Sequence, residues 1–229
     1  MLRHIPNLLT CLNLLTGSLG ILYLFEGDGS IPVAMFVWVA LAFDFLDGFA
    51  ARLLRTTSPI GKELDSLADV ISFGLLPSVI AFKLIYEQAG SSFLPYLSLS
   101  IVIFSALRLA KFNIDESQSN SFRGLPTPAN ALFITGLPLV QFPQASFLFE
   151  PVVLAAISII FSLLLVSPFE MLALKFRDFS WRNNKSQFTF LFFSVLLLVS
   201  LKFAAVPIII IFYILFSLGG SVASGQRVK

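Results

Sequence analysis

The chain has 229 residues, of which 57% are hydrophobic and only 12% are charged, and its formal net charge is +2. An average soluble domain carries about 25% charged residues, so this composition excludes an ordinary soluble protein, and no nucleic-acid partner is expected. The single histidine, His4, and the single cysteine, Cys11, exclude histidine-based metal sites within the apolar region and an internal disulfide.

The apolar residues form blocks close to the roughly 20 residues that cross a bilayer as a helix. Because backbone polar groups in lipid must be hydrogen-bonded within their own segment, we predict an all-α, polytopic transmembrane helical bundle. It forms a single integral membrane domain over residues 1–229, whose last three spans make up a C-terminal region, 147–221. In chain order the predicted spans are 6–25, 31–54, 62–86, 92–112, 127–143, 147–167, 186–203 and 205–221.

The charged residues support this arrangement of about eight spans. Basic residues fall in alternate connections, such as Arg52, Arg55 and Lys62 after the second span, while the intervening connections are acidic, as at Glu87 and Glu150. By the positive-inside rule, the basic connections and both termini are expected in the cytoplasm, which requires an even number of spans.

Four aspartates stand at the junction of the second and third predicted spans, in the segment 44–69. Asp44 and Asp47 are three residues apart at the end of one span, and Asp65 and Asp69 are four apart at the start of the next. Spacings of three and four place helical side chains on one face. Two antiparallel helices joined by a short turn can therefore aim four carboxylates at one point.

Gathering these carboxylates is unfavourable without cations. An acidic side chain costs about 2.5–3.5 kcal/mol at mid-bilayer, and four neighbouring negative charges also repel one another. Divalent cations remove this repulsion, and ligands that are all oxygen favour Mg²⁺, Mn²⁺ or Ca²⁺. The alternative is that the acids pair with Arg52, Arg55 and Lys62 in a solvated network at the helix ends.

Small residues accompany the acids. Gly48, Ala51 and Gly61 share their helical face and leave room for a bulky group, although small residues are also common where membrane helices pack. The neighbouring side chains that offer hydrogen bonds to a phosphate are Arg52, Thr56, Thr57 and Ser58. A metal cluster beside an arginine and an open backbone surface suits a pyrophosphate ligand.

The pattern Asp44-x2-Asp47-Gly48-x2-Ala51-Arg52-x8-Gly61-x3-Asp65-x3-Asp69 resembles the signature of the CDP-alcohol phosphotransferase family at every position. The resemblance implies a homodimer with a two-metal site for Mg²⁺ or Mn²⁺, with Ca²⁺ as a possible substitute in crystals, and release of CMP. It implies that Asp44, Asp47 and Asp65 are metal ligands and that Asp69 is both a ligand and the general base. It assigns three residues to the CDP moiety: Gly48, Arg52 and Ser58.

Two further stretches, IPNLLTCLNLLTG at the N-terminus and RLAKFNIDESQSNSFRGLPTPANA after the fourth span, resemble the prokaryotic phosphatidylserine synthases within that family. With the signature, this resemblance covers roughly residues 1–135. It implies transfer of the phosphatidyl group of CDP-diacylglycerol to L-serine, in the cytoplasmic membrane of a prokaryote, with the active site facing the cytoplasm. An alternative is another acceptor of the same family, glycerol 3-phosphate or an inositol phosphate.

The physical interpretation of these two stretches leaves alternatives open. Asn7, Thr10, Asn13 and Gly17 form a polar stripe at helical spacing, which is expected to face the bundle interior. This stripe could bind cytidine and ribose, with Asn7 and Thr10 in contact with CDP, or it could form interhelical hydrogen bonds.

The second-substrate region is predicted at 105–130. Arg108, Lys111 and Arg123 could bind the carboxylate of serine, since an arginine pairs with a carboxylate in bidentate fashion. They could equally be ordinary cations at the ends of spans. A different class of function, a cation-coupled transporter that uses the buried acids, is a further alternative.

Overall fold

The structure is a computed structural model that describes residues 4–26, 32–56, 58–114, 122–140, 142–172 and 184–223, without the side chains of 122 and 220–223. Of the predicted phosphate-binding residues, Thr57 lies outside the described residues. Within these ranges the α-helices are α1 Ile5–Glu26, α2 Ala34–Leu53, α3 Pro59–Asp69, α4 Leu76–Ala89, α5 Ser100–Ile114, α6 Thr127–Gly136, α7 Pro151–Leu165, α8 Lys185–Leu201 and α9 Ala205–Ala223.

Shorter turns extend or connect these helices. A π-helical turn, Val70–Leu75, joins α3 to α4, and 3-10 turns are formed by Leu94–Leu99, Leu137–Leu139, Pro143–Phe149 and Lys202–Ala204. Two strands of two residues, β1 Phe122–Arg123 and β2 Glu170–Met171, pair antiparallel. Apart from this short ladder, the described residues confirm the predicted all-α class.

The structure supports the predicted membrane spans only in part. Five helical stretches are long and apolar enough to cross a membrane, or six if Pro143–Phe149 and α7, which meet at 72°, count as one span. Helix α6 has ten residues and is therefore only about 15 Å long. The eight spans and the cytoplasmic termini are not confirmed by the structure.

Helix α1 presents small and polar side chains to the protein and large apolar ones outwards. Thr10, Asn13 and Gly17 are buried, whereas Leu8 and Leu15 are 61% and 51% exposed. A soluble amphipathic helix has the opposite arrangement, because its apolar stripe faces the core. The polar stripe thus faces the bundle interior as predicted, and the outer face suits lipid.

The interior consists of two apolar clusters that fix the helices around the aspartates. One cluster, which includes Val37, Phe73 and Leu76, joins α1 and α2 to the π-helical turn and α4. The other, which includes Ile101 and Tyr213, joins α4 to α5, α6, α7 and α9. Helix α3 packs against α1 and leads into the π-helical turn, and α5 packs against that turn.

Gly17 permits the close approach of α1 to the π-helical turn. A Cβ atom there would overlap the Ser72 hydroxyl and lie 2.7 Å from the Ser72 Cα. Ser72 also donates a hydrogen bond to the main-chain carbonyl of Asn13 (3.0 Å). We expect Gly17→Ala to lower the unfolding temperature in detergent by about 2–10 °C, because such overpacking costs about 1–3 kcal/mol. Gly219→Ala, also within a helix but where a Cβ meets nothing within 4 Å, is the matched control and should not lower it.

Candidate active site

The turn between α2 and α3 positions the acidic residues, and it begins with a defined helix ending. The amide of Thr56 donates to the carbonyl of Ala51 (3.0 Å), and the amide of Arg55 donates to that of Arg52 (3.3 Å). Arg55 has a φ of 51°. These two hydrogen bonds around a residue in the left-handed region are the Schellman ending of a helix.

The next helix begins two residues later at a side-chain cap. The Ser58 hydroxyl accepts a hydrogen bond from the Gly61 amide (3.1 Å), and Pro59, which lacks an amide donor, occupies the first helical position. Serine at the cap followed by proline is a favourable start for a helix. The sequence therefore reverses the chain within about five residues, which makes α2 and α3 a helical hairpin.

The hairpin brings three carboxylates together. Asp47 precedes Leu53, the last residue of α2, by six positions, and Asp65 follows Pro59, the first residue of α3, by six positions. A ligand oxygen from each of Asp44, Asp47 and Asp65 lies within 4.8 Å of the others. Asp47 is buried and the other two are partly buried.

Asp69 lies at the end of α3, one turn beyond Asp65, and does not belong to this group of three. Its side chain is 8% exposed, and Asn13 Nδ2 donates to its Oδ1 at 3.4 Å. Asp69 still interacts electrostatically with Asp44 and Asp65. The four acids thus form a cluster of three with a fourth carboxylate one turn farther along α3.

The alternative of a network of ion pairs is not what the structure shows. Within the part of the chain that is described, no ion pair joins the four aspartates to Arg52, Arg55 or Lys62. Lys62 Nζ donates instead to the main-chain carbonyl of Asn113 at the end of α5 (3.0 Å). The negative charge of the cluster is therefore not neutralised by these neighbouring cations.

The three-carboxylate cluster fits a divalent metal. Its donors are all carboxylate oxygens, which hard cations prefer. The Oδ1 atom of Asp65 is buried and, among the described residues, has no hydrogen-bond partner. A buried carboxylate oxygen without a partner is unfavourable unless a cation or water contacts it. Asp44, Asp47 and Asp65 are therefore the residues that could hold the metal.

A pocket of about 240 Å³, here called the donor pocket, opens beside Asp47 and Asp65. Seven residues are predicted to contact CDP or to leave space for it, and six of them line this pocket: Asn7, Thr10, Gly48, Ala51, Ser58 and Gly61. A Cβ atom on Gly48 would meet nothing within 4 Å, so this glycine keeps space open. The small residues of α2 therefore border a cavity and not a helix–helix contact at this position.

Arg52, the seventh predicted CDP residue, is exposed and is absent from this lining. It follows Phe49 by three positions, and Phe45 and Phe49 are exposed and stacked on the outer face of α2. A residue at that spacing shares their side of the helix. Its guanidinium would have to turn around α2 to reach the pocket.

The polar stripe of α1 takes part in both of its predicted roles. The Thr10 hydroxyl lies 2.7 Å from Asp47 Oδ2, a distance short enough for a charge-assisted hydrogen bond, and Asn13 contacts Asp69. These are interhelical hydrogen bonds. Asn7 and Thr10 also line the donor pocket, so α1 supports the acids and forms one wall of the cavity.

A second pocket of about 330 Å³, the acceptor pocket, lies on the side of α3 that faces α5 and α9. Asp69, Arg108 and Tyr213 line it. Arg108 Nη1 donates to the Thr127 hydroxyl at 3.3 Å, while its Nε is buried and has no partner among the described residues. The pocket therefore places a guanidinium with unused donor capacity near Asp69.

The other two residues of the predicted second-substrate site lie farther out. Lys111 and Arg123 line an adjoining cavity of about 200 Å³ that also contains Arg108. They are not among the residues of the acceptor pocket. Arg123 lies on β1, where it is paired with Glu170 of β2. The structure thus brings Arg108 to Asp69, and Lys111 and Arg123 only to Arg108.

The sequence interpretation missed several polar residues around these pockets. Asn113 Nδ2 donates to the Ser66 hydroxyl (2.9 Å), and the side chain of Asn130 is fully buried with both polar atoms unpartnered among the described residues. The sequence predicts Lys62 only as a basic residue of a connection and a possible ion-pair partner of the acids, not as a residue that lines both pockets. The signal for Thr127 and Asn130 was present, because both lie in the stretch GLPTPANA already quoted.

Comparisons with known proteins find related sequences over most of the chain. Residues 3–219 match the family model described as CDP-alcohol phosphatidyltransferase. A CDP-diacylglycerol–serine O-phosphatidyltransferase of Helicobacter pylori is 42% identical over 134 residues, which are 56% of this chain and 54% of the relative. One of Bacillus subtilis is 36% identical over 167 residues, 72% of this chain and 88% of the relative.

An archaetidylserine synthase of Methanothermobacter thermautotrophicus is also similar, at 34% identity over 169 residues, 72% of this chain and 68% of the relative. The match covers about half the length of the Helicobacter relative and most of the Bacillus relative. The names of all three relatives specify serine or a serine lipid as acceptor or product.

Proposed function

Because the chain belongs to the CDP-alcohol phosphatidyltransferase family, we propose that it transfers the phosphatidyl group of CDP-diacylglycerol to L-serine, giving phosphatidylserine and CMP. The observation that carries the proposal is the position of Asp65 and Asp69 along α3. Asp65 borders the donor pocket, Asp69 borders the acceptor pocket, and the cluster of three carboxylates lies beside them. A phosphoryl group and a hydroxyl can therefore meet at this helix.

In the proposed reaction, Asp69 accepts the proton of the serine hydroxyl as the general base. The serine oxygen forms a bond to the lipid-side phosphorus of CDP-diacylglycerol, and the bond from that phosphorus to the oxygen of CMP breaks. CMP leaves with the electron pair of that bond. Asp69 is suited to this role because it is a carboxylate in the acceptor pocket, next to the acids but outside the group of three.

Two divalent ions, Mg²⁺ or Mn²⁺, are the proposed cofactor. Asp44, Asp47 and Asp65 would hold metal, and Asp69 would contribute a ligand from its position one turn farther along α3. When bound, such ions supply charge stabilisation to phosphoryl oxygens and orient the reacting groups. Thr10 holds Asp47 by a hydrogen bond of 2.7 Å, so α1 orients a metal ligand as well as lining the pocket.

The donor pocket is proposed to bind the CDP part of the lipid substrate. Gly48, Ala51 and Gly61 leave the space, and Asn7, Thr10 and Ser58 provide polar atoms at its walls. The contact between Arg52 and the pyrophosphate stays a prediction, because the exposed side chain of Arg52 would have to turn toward the pocket.

Arg108 is proposed to bind the carboxylate of serine. Its Nε is buried without a partner among the described residues, and it interacts electrostatically with Asp69. A buried guanidinium with an unused donor favours a planar anion such as a carboxylate. Lys111 and Arg123, which line the adjoining cavity, are proposed to raise the local concentration of the anionic amino acid.

The setting of the reaction is proposed to be a prokaryotic cytoplasmic membrane that eight spans cross, with both termini in the cytoplasm. The carboxylates lie near the α2–α3 turn, which contains Arg55 and is flanked by Arg52 of α2 and Lys62 of α3, and basic connections are retained on the cytoplasmic side. Both substrates then meet at the inner surface, and we expect the protein to act as a homodimer.

Two other functions have less support. A transporter would hold its ion near the bilayer midplane, whereas Asp47 and Asp65 each lie six residues from the helix ends that flank the α2–α3 turn. An acceptor with a phosphate, such as glycerol 3-phosphate, would need a more cationic acceptor pocket. Among the described lining residues of that pocket, the cations are Lys62 and Arg108.

The proposal predicts that purified protein with CDP-diacylglycerol and Mn²⁺ releases CMP when serine is added and forms labelled phosphatidylserine from labelled serine. We expect glycerol 3-phosphate to support release at less than about a hundredth of that rate, because Arg108 binds a carboxylate and an unmatched second phosphate would be poorly neutralised. Release of CMP with glycerol 3-phosphate alone would refute serine as the acceptor. No nucleotide release with any acceptor would refute the transferase.

A further inference from the structure

The donor and acceptor pockets have two lining residues in common, Lys62 and Asp65. Gly61 borders only the donor pocket, and Ser66 and Asp69 border only the acceptor pocket. The first two turns of α3 therefore form the boundary between the two cavities, and the side chains of Lys62 and Asp65 belong to both.

This boundary is where a phosphoryl group must lie during transfer. In such a reaction the attacking and leaving oxygens are roughly in line through the phosphorus. If the nucleotide occupies the donor pocket and the serine hydroxyl approaches beside Asp69, the phosphorus lies between them. The residues common to both pockets are then the ones that contact its other oxygens.

Lys62 is free to supply such a contact. Its side chain is exposed, and its ammonium donates to the Asn113 carbonyl (3.0 Å), a hydrogen bond to a neutral main-chain group. The side chain of Asn113 is fixed in turn by the Ser66 hydroxyl (2.9 Å). Among the described residues that line the donor pocket, Lys62 is the one cation.

We propose that Lys62 is a further catalytic residue, which leaves the Asn113 carbonyl to bind a non-bridging oxygen of the phosphoryl group being transferred. This proposal rests on the proposed function. In the step itself the serine oxygen bonds to phosphorus, its proton passes to Asp69, and CMP departs with the electrons of the broken phosphorus–oxygen bond. The lysine ammonium compensates the negative charge on the phosphoryl oxygens and is unchanged at the end.

Steady-state kinetics of Lys62→Met test the role. We expect kcat to fall by about tenfold to a thousandfold, the upper figure being typical for loss of one preorganised donor to a developing oxyanion, while the KM for serine changes little. Lys62→Arg, which keeps the charge, should restore part of kcat. Arg108→Met is the comparison, since it should raise the KM for serine. Lys185→Met, an exposed lysine that lines neither pocket, is the control.

Nucleotide binding gives a measurement that does not depend on turnover. CDP carries the phosphate that corresponds to the transferred group, and CMP lacks it. Calorimetry with Mn²⁺ should therefore show that Lys62→Met weakens CDP binding by about tenfold and CMP binding much less. The affinity of Lys62→Arg for CDP should lie between those of Lys62→Met and the wild type. A purely structural role would weaken both nucleotides equally.

The outcomes separate this proposal from the proposed function. If Lys62→Met raises the KM for serine alone, the lysine binds the amino acid and the proposal is wrong. Unchanged kcat with an unchanged ratio of CDP to CMP affinity would also overturn it. The wild type could release no CMP with serine while Lys62→Met still changes the ratio of CDP to CMP affinity. In that case the proposed function fails and the contact between Lys62 and the phosphate stands.

Discussion

Asp69→Asn is expected to lower kcat for serine transfer by about 10²–10⁴-fold, the usual contribution of a general base. The amide has nearly the shape of the carboxylate but cannot accept the serine proton at neutral pH. Because Asp69 lies outside the group of three carboxylates, its replacement should reduce Mn²⁺ affinity less than replacement of Asp65 does. CMP release in the presence of saturating serine measures the effect.

The unfolding temperature and the affinity for CDP are the control measurements for Asp69→Asn. Asp69 accepts a hydrogen bond from Asn13 (3.4 Å), a contact that an asparagine oxygen can keep, so the unfolding temperature and the affinity for CDP should remain close to the wild-type values. A variant that folds, binds CDP and keeps more than about a tenth of the activity would show that another group accepts the proton.

Asp65→Asn is expected to have the second large effect, a loss of metal affinity of more than about a hundredfold. Loss of groups that only support metal ligands typically costs about 10–100-fold, and a direct ligand should cost more. Asp65 Oδ1 is buried and has no hydrogen-bond partner among the described residues, and a carboxylate oxygen of Asp65 lies within 4.8 Å of one from each of Asp44 and Asp47. Electron paramagnetic resonance titration with Mn²⁺ measures the affinity directly.

Glu63→Gln provides the matched control for Asp65→Asn. Glu63 is an exposed carboxylate on the same helix, two residues earlier, and lines neither pocket. It should leave both Mn²⁺ affinity and activity unchanged. If the two variants bind Mn²⁺ as the wild type does, the cluster of three is not the metal site.

The hairpin of acids could be predicted because local rules determine it. Spacings of three and four put each pair of aspartates on one face, and Ser58 and Pro59 mark the start of α3. The separate position of Asp69 was less accessible to sequence reasoning. Side chains four residues apart share a face but lie one turn apart along the axis, so a common face does not guarantee a common ligand shell.

Other features depended on tertiary contacts that periodicity does not encode. Lys62 occupies a variable position of the signature, and its place between two pockets depends on the residues of α5 and α9 that line the acceptor pocket together with those of α3. Arg52 belongs to the signature but shares the outer face of α2 with Phe49. In the same way, hydropathy predicts apolar segments but not the π-helical turn after Asp69 or the 72° bend before α7.

The most direct test of the account is the metal dependence of serine transfer by the purified wild-type protein. Protein stripped with a chelator should transfer no labelled serine from solution into lipid, and adding Mn²⁺ or Mg²⁺ should restore transfer together with an equal amount of CMP. Transfer that proceeds at the full rate after the metal has been removed, in protein shown to contain none, would contradict the claim that Asp44, Asp47 and Asp65 act by holding divalent ions.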